Sequence, residues 1–464
     1  MRIDAVTGNL INKNNYTVYE KKGYVSPPPF IAGSSRKKTA PNGNLFTTSQ
    51  TAVNGNSPSL VNTVNYTVVR YPAESPIHPG GTAAVTTNPW TLAGGNAVSL
   101  GWHNDGTLDY TVSRGNNVHA HEDQANNNSN NGIQATSTTT PDPLNFNFTP
   151  NYTQAATTAN NQQFNLTNLF YWNNINHDIT YKYGFDEPGG NFQQSNQGRG
   201  GAGNDYVQAD GQDGGGTNNA NMSTPPDGSK PRMQMYLWNG ITLFTVNSPV
   251  VIAGNYYARE GAMSTANLLI NLGSRTGQLV WYNDDVAGTT HYACNAPANN
   301  ISGKVALIMR GFGGATCTAT VPFAIKVKNA QNAGAIAVVM VNNVAGIPIT
   351  MGGTDNTITI PAIMISDVDG ALIAAQIANN VNITMASGPM LDGDVDNGII
   401  SHEYFHGVSN RLTGGPATTS CLGNAEQGGE GWSDYQGLMV TTNWATATPT
   451  DGNNIPRPVG NYAF

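Results

Sequence analysis

Apolar positions fall into two different rhythms along this chain. Between 164 and 185 (FNLTNLFYWNNINHDITYKYGF), Leu166, Leu169, Phe170, Trp172 and Ile175 recur three and four apart, which predicts a helix closed by Gly184. From Asn221 to Trp238 the pattern changes to alternation at Met233, Met235 and Leu237 around Thr224-Pro225-Pro226-Asp227-Gly228, which predicts strand, turn, strand. Val305–Met309, Ala335–Val341 and Ile358–Ile365 are compact apolar runs, with an amphipathic helix at Phe323–Ala333 between the first two. Strands alternating with helices indicate a small α/β module with its own core. Gly398-Ile399-Ile400 then opens a further helix, with Asp396 or Asn397 as its N-cap.

Other stretches lack either rhythm. Residues 1–72 alternate short β-like runs (Tyr16–Tyr19, Val64–Tyr71) with Pro-rich sequence such as Ser26-Pro27-Pro28-Pro29, and read as the end of something larger plus a linker. Asn126–Gly132 reads as a surface loop, and the glycine-rich 189–217, which lacks the Gly-Lys-Ser/Thr ending of a phosphate loop, as a long irregular one. The expected organisation is therefore 1–72, a β-rich part over 73–244, the α/β module over 245–389, and a helical part over 390–464.

The chain has 464 residues, enough for two or three domains, of which 11% are charged, with a net charge of −8. No basic cluster is present, which argues against a nucleic-acid partner, and no apolar run reaches the roughly 20 residues of a membrane span. Met1-Arg2-Ile3-Asp4 opens no signal-peptide core, so export information is missing from this sequence or the protein is intracellular. Cys294 and Cys317 bracket one segment and can pair, which implies an oxidising compartment; the alternative is three buried thiols, Cys421 included.

The chemistry concentrates at 402–406, His-Glu-Tyr-Phe-His, and 430–434, Glu-Gly-Trp-Ser-Asp. Two histidines four apart project from one helix face and reach one metal ion. Glu403 then stands beside the open coordination position as general base, Glu430 supplies a third ligand, and Asp434 one turn on backs the set. Of the chain's 8 histidines, two fall in this pentapeptide, which weighs against a chance match on a solvated helix face. The Asp392-Gly393-Asp394-Val395-Asp396 stretch has the spacing of a calcium loop but no glutamate at its twelfth position, so capping and packing beneath the site is preferred.

Two rival readings exist. A binding module with a structural zinc would want a fourth ligand, for which Cys421 is the near candidate, and leaves Glu403 without a purpose. A glycosidase using Glu426 and Glu430 leaves the histidine pair unexplained.

The segments WNNINHDITYKYGF, GNFQ, GTNNANMSTPPDG, RMQMYLW, DGDVDNGIISHEYFHGVSNRLTGGP and GEGWSDY, in this order, resemble the fungalysin family of secreted zinc metalloendopeptidases, relatives of thermolysin, over about 73–240 and 390–464. The resemblance implies an α+β thermolysin-like fold and one catalytic zinc on His402, His406 and Glu430. It further implies Glu403 as general base, Asp434 orienting His402, Asn219 and Ala220 on an edge strand holding substrate backbone, and His177 and Asp178 in a structural role. GKVALIMRG, then Cys317 and FAIKVKNAQNAGAIAVVMVNN, resemble an inserted protease-associated domain, and RIDAVTGNLINKNNYTV resembles the end of an inhibitory propeptide. Protein or peptide substrates and an extracellular location follow as expectations. The chain departs from the family in a slightly shorter loop between His406 and Glu430. It also stops at Phe464, so it is expected to be a fragment lacking the start of the propeptide and the helical C-terminal lobe.

Overall fold

The computed structural model describes residues 2–3, 10–12, 63–140, 142–423, 425, 427–447, 460, 462 and 463. The runs expected at Tyr16–Tyr19 and Ser26–Pro29 lie outside these residues. β1 (Arg2–Ile3) and β2 (Leu10–Asn12) form an antiparallel pair. The chain divides into two compact units, one built from 1–238 and 391–464, the other from 239–390.

In the first unit, β3 (Val64–Val68) lies between β4 (Ala84–Thr87) and β6 (Leu144–Phe146). A second sheet has the order β5-β7-β9-β8, with β5 at Val118–Glu122, β7 at Val207–Gly211, β8 at Ala220–Ser223 and β9 at Arg232–Met235. Among the described residues the strand β8 is thus an edge, paired with β9 (Ala220 opposite Met235, Met222 opposite Met233). β7 is a correction to the sequence reading, which left 189–217 as an irregular loop. Val207 and Ala209 alternate toward the core, but the surrounding glycines and polar residues mask a five-residue strand.

Against these sheets runs α1 (Ala159–Lys182), which begins five residues before the periodic stretch and is followed by Gly184 at φ 101°. Nearly all of α1 is buried, its asparagines included. Asn173, Asn174 and Asn176 each donate to the carbonyl four residues back, at 2.9 Å, while Asn165 and Asn168 donate to Asp392 and Asn397 outside the helix. Such an Asn-rich helix carries little polar-versus-apolar contrast, which is why its start was not visible.

β10 (Leu237–Trp238) pairs antiparallel with β18 (Leu391–Asp392), so the chain leaves the first unit and re-enters it on adjacent strands. The helices α5 (Asn397–Thr413) and α6 (Gly429–Val440) complete this unit. Its core joins Ile400, Tyr404 and Val408 of α5 to Leu169, Trp172 and Ile175 of α1 and to Met222 and Met233 of the sheet.

The second unit is a closed seven-stranded barrel in the order β11-β12-β16-β15-β14-β13-β17. Its strands are β11 (Thr242–Ser248), β12 (Gly254–Glu260), β13 (Arg275–Trp281), β14 (Val305–Met309), β15 (Ala337–Val341), β16 (Ala362–Ile365) and β17 (Asn382–Ser387). Strands β13 to β16 run parallel to their neighbours in turn, connected in part through α3 (Phe323–Asn332), while α2 (Leu269–Leu272) and α4 (Asp367–Ala374) are short. β14 and α3 stand where the periodicity put them, while β15 begins two residues into Ala335–Val341 and only the second half of Ile358–Ile365 is strand; closure into a barrel did not show in the sequence. Cys294 and Cys317 are disulfide-bonded, and Cys421 is free and exposed, so the reading of three buried thiols is wrong.

Candidate metal centre

Asp396 starts α5 by accepting the Ile399 N–H at 3.3 Å, the cap anticipated from the sequence. Asn397 in the first turn is tied down as well, donating to the Ala73 carbonyl at 2.8 Å and accepting from Asn168 at 2.8 Å. The helix then lies close over the edge strand. A Cβ at Gly407 would stand 2.7 Å from Phe192 Cζ and 3.0 Å from Met222 Cε, so only glycine lets α5 approach β8 this far. Two of the three acids before the helix act as caps: Asp396, and Asp392, which accepts the Asp394 N–H at 3.0 Å and the side-chain amides of Asn165 and Gln212 at 2.6 Å.

This placement leaves one face of α5 turned to α6. His402 Nε2 and His406 Nε2 are 2.9 Å apart, and Glu430 Oε2 lies 3.2 Å from the first and 3.5 Å from the second. A tetrahedral ion with bonds of ~2.0–2.1 Å has ligand–ligand edges of about 3.3 Å, so these three atoms form a triangle of the size of one face of such a site. His402 Nδ1 lies 2.9 Å from Asp434 Oδ1, and Glu403 between the histidines is 2% exposed. The three donors stay partly open, at 16%, 10% and 35% side-chain exposure for His402, His406 and Glu430, so a further ligand has access.

The electrostatics favour a positive charge in the triangle. Burial pushes the Glu430 carboxyl up, but the two imidazoles outweigh it and bring the pKa down to about 2. Burial likewise pulls the His402 imidazole down, yet the carboxylates of Asp434 and Glu430 carry it up to about 10. Two imidazole nitrogens 2.9 Å apart cannot both present lone pairs to each other; a proton on one of them, or a metal ion bound by both, removes the repulsion. Two imidazoles and a carboxylate on a divalent ion satisfy all three, so the donor set fits zinc.

Of Asn219 and Ala220, both expected on the edge strand, Ala220 starts β8 with its side chain buried and Asn219 lies just before the strand. His177 and Asp178 are apart from the metal triangle and bound to each other at 2.9 Å, with Trp102 Nε1 donating to Asp178 at 3.0 Å, a structural arrangement. Glu426, the partner required by the glycosidase reading, lies outside the described residues. Sequence reasoning missed Asp123, Asp210 and Asp213, whose oxygens converge within 4.8 Å and against which Arg232 supplies a countercharge on Asp210. It also missed Arg411, because a lone arginine late in a helix carries no motif.

The pattern of the fungalysin metallopeptidase family (M36) matches residues 65–464. The chain belongs to that family. Fungalysins are zinc-dependent, in keeping with the donor set above. A probable extracellular metalloproteinase 2 of Arthroderma benhamiae is 42% identical over 34% of this chain and 24% of its own length. The extracellular metalloproteinase 2 of Arthroderma otae is 26% identical over 80% of this chain and 35% of its own length. The extracellular metalloproteinase MEP of Pyricularia oryzae is 39% identical over 39% and 28% respectively. The chain thus spans only about a quarter to a third of the curated relatives it matches. Among solved structures, an aminopeptidase from Aneurinibacillus sp. strain AM-1 is 21% identical over 38% of this chain and 34% of its own, with a TM-score of 0.24, too slight a likeness to bear on the fold. Among the described residues, no helix is long and apolar enough to cross a membrane.

Proposed function

We propose that this fungalysin-family chain is part of a secreted zinc metalloendopeptidase that hydrolyses peptide bonds of proteins, with His402, His406 and Glu430 as metal ligands. The observation that carries the reading is the triangle of His402 Nε2, His406 Nε2 and Glu430 Oε2, drawn from two separate helices to within 3.5 Å. Zinc held there would supply Lewis acidity and lower the pKa of a bound water toward about 7. Glu403, one residue after the first ligand, would take a proton from the attacking water and pass it to the leaving amine. Asp434 holds the His402 ring through Nδ1, keeping Nε2 free for ligation. The edge of β8 at Ala220, with Asn219 just before it, receives the substrate backbone as an added strand.

The finer organisation follows the same reading. Within the first unit, 73–238 and 391–464 form a thermolysin-like subdomain; the barrel of 239–390 is an inserted protease-associated domain that covers or selects substrates; residues 1–72 are the end of an inhibitory propeptide and a linker. Relatives named extracellular metalloproteinases support a secreted location. A pure binding module is less well supported, since it gives Glu403 no task.

Glu403→Gln in the full-length protein tests the mechanism. Zinc content should stay at the wild-type level while casein digestion is lost. Retained digestion shows that Glu403 is not the base.

A further inference from the structure

We propose that Arg411 is a positioning residue, which fixes the edge strand β8 relative to the metal triangle and so sets how an extended peptide meets it. The proposal rests on the peptidase reading above. Arg411 lies nine positions after His402 on the same helix, and its side chain has 0% exposure. Its guanidinium is saturated from three sides. Nη1 donates to the Gly190 carbonyl at 2.8 Å and to Asp205 Oδ2 at 2.5 Å, with Asp227 Oδ1 at 3.5 Å. Nε donates to the Pro225 carbonyl at 3.1 Å, and Nη2 to the carbonyls of Pro226 at 3.2 Å and Ser229 at 3.0 Å.

Four of these six acceptors belong to 225–229, the turn joining β8 to β9. One helix therefore carries two metal-binding candidates along its middle turns and, in its last turn, the anchor of the hairpin whose outer edge faces substrate. The neighbouring Asn410 adds a bond from Nδ2 to Thr224 Oγ1 at 3.3 Å. Helix and strand are held at two points, Gly407 against Met222 and Arg411 on the turn, and two points determine a distance and an angle. A buried ion pair contributes little net stability compared with apolar residues of the same volume, whereas directional bonds to several segments fix register. Arg411 suits that purpose, because a planar fork with five donors serves acceptors spread over three segments and a lysine ammonium does not.

The test uses Arg411→Lys and the milder Asp227→Ala, whose side chain is only 14% exposed but lies at the turn, both in the full-length protein. Hydrogen exchange is read over 220–229 and over 399–408, alongside zinc content and steady-state kinetics. Faster exchange of the hairpin, by about tenfold or more, with 399–408 and zinc content unchanged is the expected result. The expected kinetic mark is a rise in KM for an extended peptide, on the order of tenfold, with a much smaller change for a substrate having one residue on each side of the cleaved bond. Equal losses on both substrates, or unchanged kinetics per zinc-loaded molecule, would show a structural role only and overturn the proposal. If the wild-type protein cleaves neither substrate, the peptidase reading falls, and Arg411 is judged by exchange alone: unchanged hairpin exchange in both variants sinks it.

Discussion

Nδ1 of His402 stands 2.9 Å from Oδ1 of Asp434, across the gap between α5 and α6. When a metal ion replaces the second proton of the ring, the carboxylate keeps the remaining N–H on Nδ1, so that Nε2 would be the ligating atom. Replacing Asp434 by Ala should therefore weaken zinc binding by about 10–100-fold without removing a ligand. Competition with a chromogenic chelator measures this; wild-type affinity would show that the contact does not tune the metal.

Removing the metal should loosen α6 more than α5. The N-terminal turn of α6 carries Glu430 and has no side-chain cap, whereas α5 is capped by Asp396 and sunk in the core. Binding to the folded state alone adds about 2.7 kcal/mol at a free metal concentration of 100 Kd. A chelator should lower Tm for the wild type and leave a His402→Ala variant unmoved.

Asp396 is enclosed, and burial followed by the neighbouring Glu74 carboxylate pushes it up to about 7. An unfolded aspartate titrates near ~3.9, so between about pH 4 and 7 the native state binds the extra proton and stability falls as pH rises. The slope is at most about 1.4 kcal/mol per pH unit for this one group. Asp396→Asn keeps an N-capping side chain but no longer titrates, so denaturant unfolding at pH 5 and pH 8 should differ less in the variant than in the wild type. An identical pH dependence would remove Asp396 as its source.

Gly407→Ala would drive a methyl group to 2.7 Å from Phe192 Cζ and 2.9 Å from Cε2. Overpacking of this kind costs about 1–3 kcal/mol, with a matching fall in Tm. The same change should shift α5 on β8. A variant as stable as wild type would mean that Phe192 turns aside freely.

Cys294 and Cys317 close a loop with a sequence separation of 23, and a loop of that length stabilises by about 3 kcal/mol. Replacing both by Ser should lower the stability of the barrel unit by roughly that amount, with little effect on the metal centre. Under non-reducing native conditions a thiol reagent should find one cysteine per chain, the exposed Cys421. A count of three would contradict the pairing.

The zinc-binding helix was legible because its signal is local. Ligands four apart share a face on any α-helix, and Asp396 caps from within the same segment, so neither needs the rest of the molecule. The apolar strands of the barrel were legible for a similar reason, since Val305–Met309 and Ala337–Val341 are continuous buried runs. What tertiary structure decided is everything that joins distant segments. Hydrogen bonding between β11 and β17, more than a hundred residues apart, closes the barrel, and nothing in either strand names the other. Gly-rich neighbours hide β7 until β5 and β9 pair with it, and α1 buries its asparagines by bonding some to its own helix, as Asn174 does, and others to distant segments, as Asn165 and Asn168 do. Glu430 was identifiable as a carboxylate at a suitable spacing, but its position within 3.5 Å of both imidazoles depends on how α6 packs on α5. Arg411 was invisible because its acceptors are mostly backbone carbonyls, which every sequence has and only a fold can gather.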